Sequence, residues 1–140
     1  MTEDELARAC ADAMWAGDSA SRAAGIELGE VTPGRAGARM RVTSEMSNGH
    51  GICHGGFVFL LADSAFAYAC NTHGEMTVAA GCDIVFAAPA NEGDELVAEA
   101  VERARFGRNG LYDVTVTRVA DGELIAELRG RSRATGEKIL

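Results

Sequence analysis

Asn48–Asn71 reads N-G-H-G-I-C-H-G-G-F-V-F-L-L-A-D-S-A-F-A-Y-A-C-N, and no other stretch of the chain limits the fold so tightly. Asn48, Gly49, Gly51, Gly55 and Gly56 make its first nine residues turn-forming. A run of Phe, Val, Leu and Ala follows, with no helix breaker until after Asn71. This predicts a loop feeding a helix whose first-turn amides are free to bind an anion or a polarised oxygen. Phe57, Val58, Leu60, Leu61, Ala65, Phe66 and Ala69 cover every direction around that helix, so the rest of the chain must bury it. Asp63 sits in its middle. A carboxylate there is either paired with a buried arginine or backbone group, or it does chemistry.

Gly55 and Asp63 are eight residues apart, or about 12 Å along a helix axis. One small reacting group cannot touch both within a single chain. If the two serve one substrate, they come from two chains, and an antiparallel pair of these helices about a two-fold axis creates two equivalent sites.

The remainder supplies what covers the helix. Thr2-x-x-Glu5 is a capping box, and Leu6, Cys10, Ala13 and Met14 recur at helical spacing, predicting a helix over Glu3 to Ala16. Asp18 or Ser19 caps a short second turn that ends at Gly25. From Ile26 the period changes: Ala36, Ala38, Met40 and Val42 alternate with Arg35, Gly37, Arg39 and Arg41, and Thr32-Pro33-Gly34 joins this strand to one near Ile26 to Val31. Met76 to Phe86 reads as a strand that is largely apolar on both faces. Leu96 to Phe106, Tyr112 to Val116 and Leu124 to Leu128 alternate again, separated by Asn109-Gly110 and Asp121-Gly122 hairpin turns, so the second half is an antiparallel meander. An antiparallel sheet with one apolar face buries that face by curling around the greasy helix; the alternative is a helix lying flat on an open sheet. The expectation is one α+β domain over 1–140, with 1–24 as an N-terminal helical segment.

Composition excludes several functions. A net charge of −8 argues against a nucleic-acid partner, whose phosphates demand a basic face. It leaves room for a small anion, because a few clustered arginines suffice for that. Arg103, Arg105 and Arg108 cluster before Asn109, either as a solvated face or as phosphate contacts. The acidic start lacks an apolar core, so no signal peptide is expected, and no apolar run is long enough to span a membrane. Cys10, Cys53, Cys70 and Cys82 form no C-x-x-C pair and read as reduced thiols of a cytoplasmic protein. His50-x-x-Cys53-His54 lacks the second ligand cluster that a zinc site needs, so no metal is expected. The third glycine of Gly49-x-Gly51 is out of register for a dinucleotide fingerprint. His50 reads as a turn-structuring residue, and Phe66 and Tyr68, at helical spacing, read as core.

The order of elements and the H-G-G-x5-A-D segment resemble the hotdog-fold acyl-CoA thioesterases, and more narrowly the PaaI type associated with phenylacetate breakdown. The resemblance covers most of the chain, including G-C-D-I-V-F-A-A-P-A-N-E-G-D and L-Y-D-V-T-V. It implies a curved antiparallel sheet wrapped around a long central helix. It also implies a role for each matching position: the Gly55 amide hydrogen-bonds the thioester carbonyl, and Asp63 of a second chain is nucleophile or general base. Asn48 is implied to position the attacking water or the thioester, and His54 to line the site and order the loop. Such proteins form dimers that pair into tetramers, take coenzyme A thioesters as substrates, and need no metal or further cofactor. One departure stands out. Where related enzymes can carry Ser or Thr to hold the water, this chain has Val78-Ala79-Ala80-Gly81, with Thr77 the nearest hydroxyl. A non-catalytic acyl-CoA-binding module and a hydratase or dehydratase on the same fold are the alternatives, the latter pairing an acid with a histidine.

Overall fold

A computed structural model describes the whole chain, Met1–Leu140. The N-terminal segment comprises α1 (Glu3–Trp15) and α2 (Ser19–Ala23). The capping box forms as expected: the Glu5 amide donates to Thr2 Oγ1 and the Thr2 amide to Glu5 Oε1, both at 3.1 Å. The packed face differs by one position from the apolar spacing, because Ala7, Cys10 and Ala11 are buried while Ala13 faces solvent. Small side chains at 7 and 11 let α1 lie close against the first strand. Asp18 caps α2 through the Ser21 amide and also accepts from the Tyr68 hydroxyl at 2.9 Å. The buried Ser21 and Ser64 hydroxyls meet at 3.0 Å, so this segment is tied to the central helix by polar contacts as well as packing.

That central helix, α3, spans Gly55–Cys70. The strands are β1 (Glu27–Thr32), β2 (Arg35–Arg41), β3 (Glu75–Phe86), β4 (Glu95–Phe106), β5 (Asn109–Arg118) and β6 (Leu124–Lys138). They form one sheet in the order β1-β2-β4-β5-β6-β3, with every neighbouring pair antiparallel. All six contact α3, so the sheet wraps the helix rather than carrying it on one flat face. Ala38, Met40, Leu96, Ala98, Tyr112, Val114, Val116, Ala126 and Leu128 point inward and are buried. Phe66 and Tyr112 are core, as their spacing predicts, with ring centroids 5.5 Å apart.

Three expectations need correction. The second half is not a simple meander: β4, β5 and β6 follow in order, but β3 pairs with β6 at the far edge instead of with β4. The apolar side chains of this edge strand are left uncovered, for Met76, Val78, Val85 and Phe86 are all exposed. The β4–β5 hairpin turns at Gly107-Arg108, closed by Phe106 opposite Asn109, two residues earlier than Asn109-Gly110 suggests. Gly107 takes the left-handed conformation there, at φ 61°. Gly110 serves packing instead, since a Cβ on it would lie 2.6 Å from Ser132 Oγ. Finally, β6 runs ten residues beyond Leu128, because the long β3 pairs with it as far as Lys138.

Gly130 on β6 makes a similar demand. A Cβ there would stand 2.7 Å from the buried Phe66 ring. Gly130→Ala should lower the unfolding free energy by about 1–3 kcal/mol, the usual cost of overpacking a filled core. Urea titration of the variant against the parent measures it; an unchanged midpoint would show that α3 can move away from β6.

Candidate active site

The loop before α3 is held from several sides. The His54 amide donates to the Met46 carbonyl at 2.7 Å and the Cys53 amide to the Ala90 carbonyl at 2.8 Å, while Ser47 and Cys53 form a bridge. Asn48 Oδ1 accepts from the His50 amide at 2.9 Å and the Ile52 amide at 3.3 Å, which folds the glycine-rich segment back on itself. His54 is the N-cap of α3, and its Nδ1 accepts from the Gly56 amide at 2.9 Å. The Gly55 N–H, one place nearer the helix start, has no partner within the chain. It opens on a cavity of about 450 Å³ lined by Asn48, Ile52, Gly55, Val58, Phe86 and Pro89 among others. An unpaired amide at the positive end of a sixteen-residue helix is preorganised for developing negative charge.

Asp63 is half-buried two turns further along α3. No arginine pairs with it and it makes no hydrogen bond, although eleven ion-pair contacts join other charges of the chain. The pairing that would make this carboxylate purely structural is therefore absent. Burial pushes its pKa above the ordinary 3.8. Cys82 on β3 stands nearby: burial, and then the Asp63 charge, push its thiol pKa up. Gly56, Phe59, Leu60, Asp63 and Ala67 form a stripe at helical spacing that the sheet leaves partly uncovered.

The structure thus brings Asn48 and Gly55 together, with His54 holding the helix end beside them. Asp63 stays about 12 Å along the axis from Gly55. Arg105 and Arg108 lie at the opposite end of the helix, in a small cleft shared with Cys70, His73, Thr77 and Ser132. Arg105 contacts Glu102, which also binds His73 and Tyr112. Arg103 is absent from that cleft and pairs with Asp113, which Arg129 also grips. Arg108 alone of the three has no acidic partner. Thr77 donates its hydroxyl to the Glu75 carbonyl at 3.0 Å, so it is already committed. Sequence reasoning missed Phe86 and Cys82. Both belong to the strand read from the sequence only as apolar on both faces, and its edge position puts them beside the loop and Asp63.

Comparison with known proteins identifies the family. The thioesterase superfamily profile matches residues 50–125, which include the loop, α3 and β3 to β5. The acyl-coenzyme A thioesterase PaaI of Escherichia coli K12 is 41% identical over 129 residues, covering 92% of this chain and 91% of the relative. The solved structure of the E. coli PaaI protein from the phenylacetic acid degradation operon superposes with a TM-score of 0.95 at 39% identity, covering 98% of this chain and 99% of that one. Human acyl-coenzyme A thioesterase 13 is 31% identical across 74% of this chain and 76% of its own length. With a sheet curled around its helix and that profile across its central segment, the chain belongs to the thioesterase superfamily, as a thioester hydrolase of hotdog fold.

Proposed function

We propose that the protein hydrolyses aryl-acetyl or other small acyl-coenzyme A thioesters to the free acid and coenzyme A, as a homodimer at least, with dimers pairing into tetramers. The observation that carries this reading is Asp63, a half-buried carboxylate on an apolar helix with neither ion pair nor hydrogen bond. Sustaining such a group costs stability, and catalysis is what repays it. In an antiparallel dimer the Gly55 amide of one chain meets Asp63 of the other. The amide stabilises the oxyanion as the thioester carbon is attacked, and the thiolate leaves readily. Asp63 either attacks that carbon directly or deprotonates a water, and both routes start from the ionised form. Asn48 lines the cavity beside the amide and holds the loop in shape.

Support for the dimer comes from β3. This twelve-residue edge strand shows apolar side chains on both faces, which a lone chain would leave open to unspecific pairing. The opposite edge, β1, has six residues, two of them glutamates, and α1 packs against it. All four cysteines are free thiols, which fits the cytoplasm. No helix is long and apolar enough to cross a membrane. The hydratase alternative needs an acid against a histidine at the pocket, but His54 spends Nδ1 on its own helix with no carboxylate on its ring, and the His73–Glu102 pair lies at the opposite end of α3.

Thiol release from phenylacetyl-CoA and a series of other CoA thioesters, followed with a thiol dye, tests the activity. Turnover of at least one ester is expected; tight binding with no release from any would identify a binding module. Arg105 and Arg108 are our candidates for contacts to coenzyme A phosphates, and with the helices antiparallel they would approach the substrate from the second chain. Arg108→Glu should raise KM several-fold at unchanged kcat, whereas a lowered kcat at unchanged KM would refute the contact.

A further inference from the structure

Phe86 is the last residue of β3, opposite Ala126 on β6. The backbone beyond it is pinned, since the Ala87 and Ala88 amides both donate to the Ile125 carbonyl, at 2.8 and 3.3 Å. Its side chain is nonetheless 52% exposed. The ring does not simply point to solvent, because it lies over the first residue of α3. A Cβ on Gly55 would stand 3.1 Å from Phe86 Cζ, 3.4 Å from Cε1 and 3.6 Å from Cε2. Gly55 is not in the left-handed conformation, so its backbone does not require glycine. What glycine supplies at 55 is room for this ring, against the same residue whose N–H faces the cavity.

The rest of that cavity offers little chemistry. Ile52, Cys53, Val58, Ala87, Ala88, Pro89 and Ala90 are apolar, and Asn48 is the one polar side chain on the wall. An acyl group entering beside the Gly55 amide therefore meets small aliphatic surfaces and one aromatic ring. We propose that Phe86 sets acyl selectivity: its ring, seated on Gly55, forms the wall against which a planar aromatic acyl group packs, favouring it over a straight alkyl chain. The inference rests on the thioesterase reading and names the substrate class of that site. An offset or edge-to-face ring pair adds a preference worth up to about tenfold in affinity beyond the area buried. An alkyl chain collects only the area.

Calorimetric titration with two thioethers that cannot be hydrolysed, S-phenethyl-CoA and S-hexyl-CoA, separates these contributions. Phe86→Ala should weaken phenethyl binding about tenfold and hexyl binding less than about threefold, and Phe86→Trp should retain the aromatic preference. Gly55→Ala keeps the amide but pushes on the ring, so it too should weaken the phenethyl ligand. Adding Phe86→Ala to it should then cause no further loss, because both changes act through one ring. Equal losses for the two ligands, additive losses in the double variant, or conversion of Phe86→Ala to a monomer in sedimentation would overturn the proposal. Phenethyl binding that depends on Phe86, together with no thiol release from any thioester, would sink the hydrolase reading and leave the aromatic wall standing. If the parent protein binds neither thioether, both fall.

Discussion

Asp63→Asn should cut thioester hydrolysis by about 10³-fold or more and, at neutral pH, make the protein harder to unfold. The two effects share one cause. Asn keeps the shape of the side chain but can neither attack a carbonyl nor take a proton, so the chemical step fails while substrate still binds. The gain in stability follows from linkage. Burial raises the folded-state pKa of Asp63 above its ordinary 3.8, which means that the fold favours the protonated carboxyl. That contribution is fully present below the unfolded pKa and is lost as pH rises through the folded one. Asn has no proton to lose. The melting temperatures of variant and parent should coincide below about pH 3.8 and separate in the variant's favour as pH rises. The parent's kcat should rise with pH through the same raised pKa, since only the ionised carboxylate acts. Thermal scans and pH–rate profiles on the two proteins decide the matter. A variant that hydrolyses at the parent rate, or melts earlier at neutral pH, would show that Asp63 is a structural group.

A second experiment addresses how the site is divided. Gly55→Pro removes the N–H at the first helical position, where the backbone tolerates proline, and Gly55→Ala, which crowds the Phe86 ring in the same way but keeps the N–H, is its control. His54 before it already has φ −57° and ψ 132°, the extended conformation that a residue preceding proline prefers. Losing one oxyanion donor should cost roughly 10²–10³ in kcat. Gly55→Pro and Asp63→Asn homodimers should each be nearly inactive, yet mixing the two chains by joint unfolding and refolding should restore activity. In a mixed dimer one site has lost both groups and the other keeps both. Random pairing puts half the dimers in that form, for about a quarter of the parent activity. A mixture as inactive as its components would mean that Gly55 and Asp63 do not cooperate across chains.

The central helix and its loop were legible because their constraints are local. Sixteen residues with apolar groups all round cannot sit on a surface, and glycine, asparagine and histidine mark where the helix starts. The hairpins around Gly34 and Gly122 were legible for the same reason. Asn109-Gly110 misled because glycine has two uses, and at 110 it makes room for Ser132 rather than bending the chain. The last two thirds of β6, R-G-R-S-R-A-T-G-E-K, show no apolar alternation, and pairing with β3, and with β5 as far as Arg133, makes them a strand. The place of β3 was hidden by the same non-local pairing, and with it Phe86 and Cys82. Asp63 could be singled out from the chain, but its lack of a partner is a fact of three dimensions.

The pairing of β3 with β6 also governs how the chain is made. Glu75 stands opposite Lys138, so β3 is synthesised some fifty positions before the strand that receives it. Until then a twelve-residue ribbon carrying Met76, Val78, Val85 and Phe86 has no neighbour on either side. A nascent chain stalled near Gly122 would expose a sticky edge to other copies on the same polysome, so the exposure lasts until β6 has emerged.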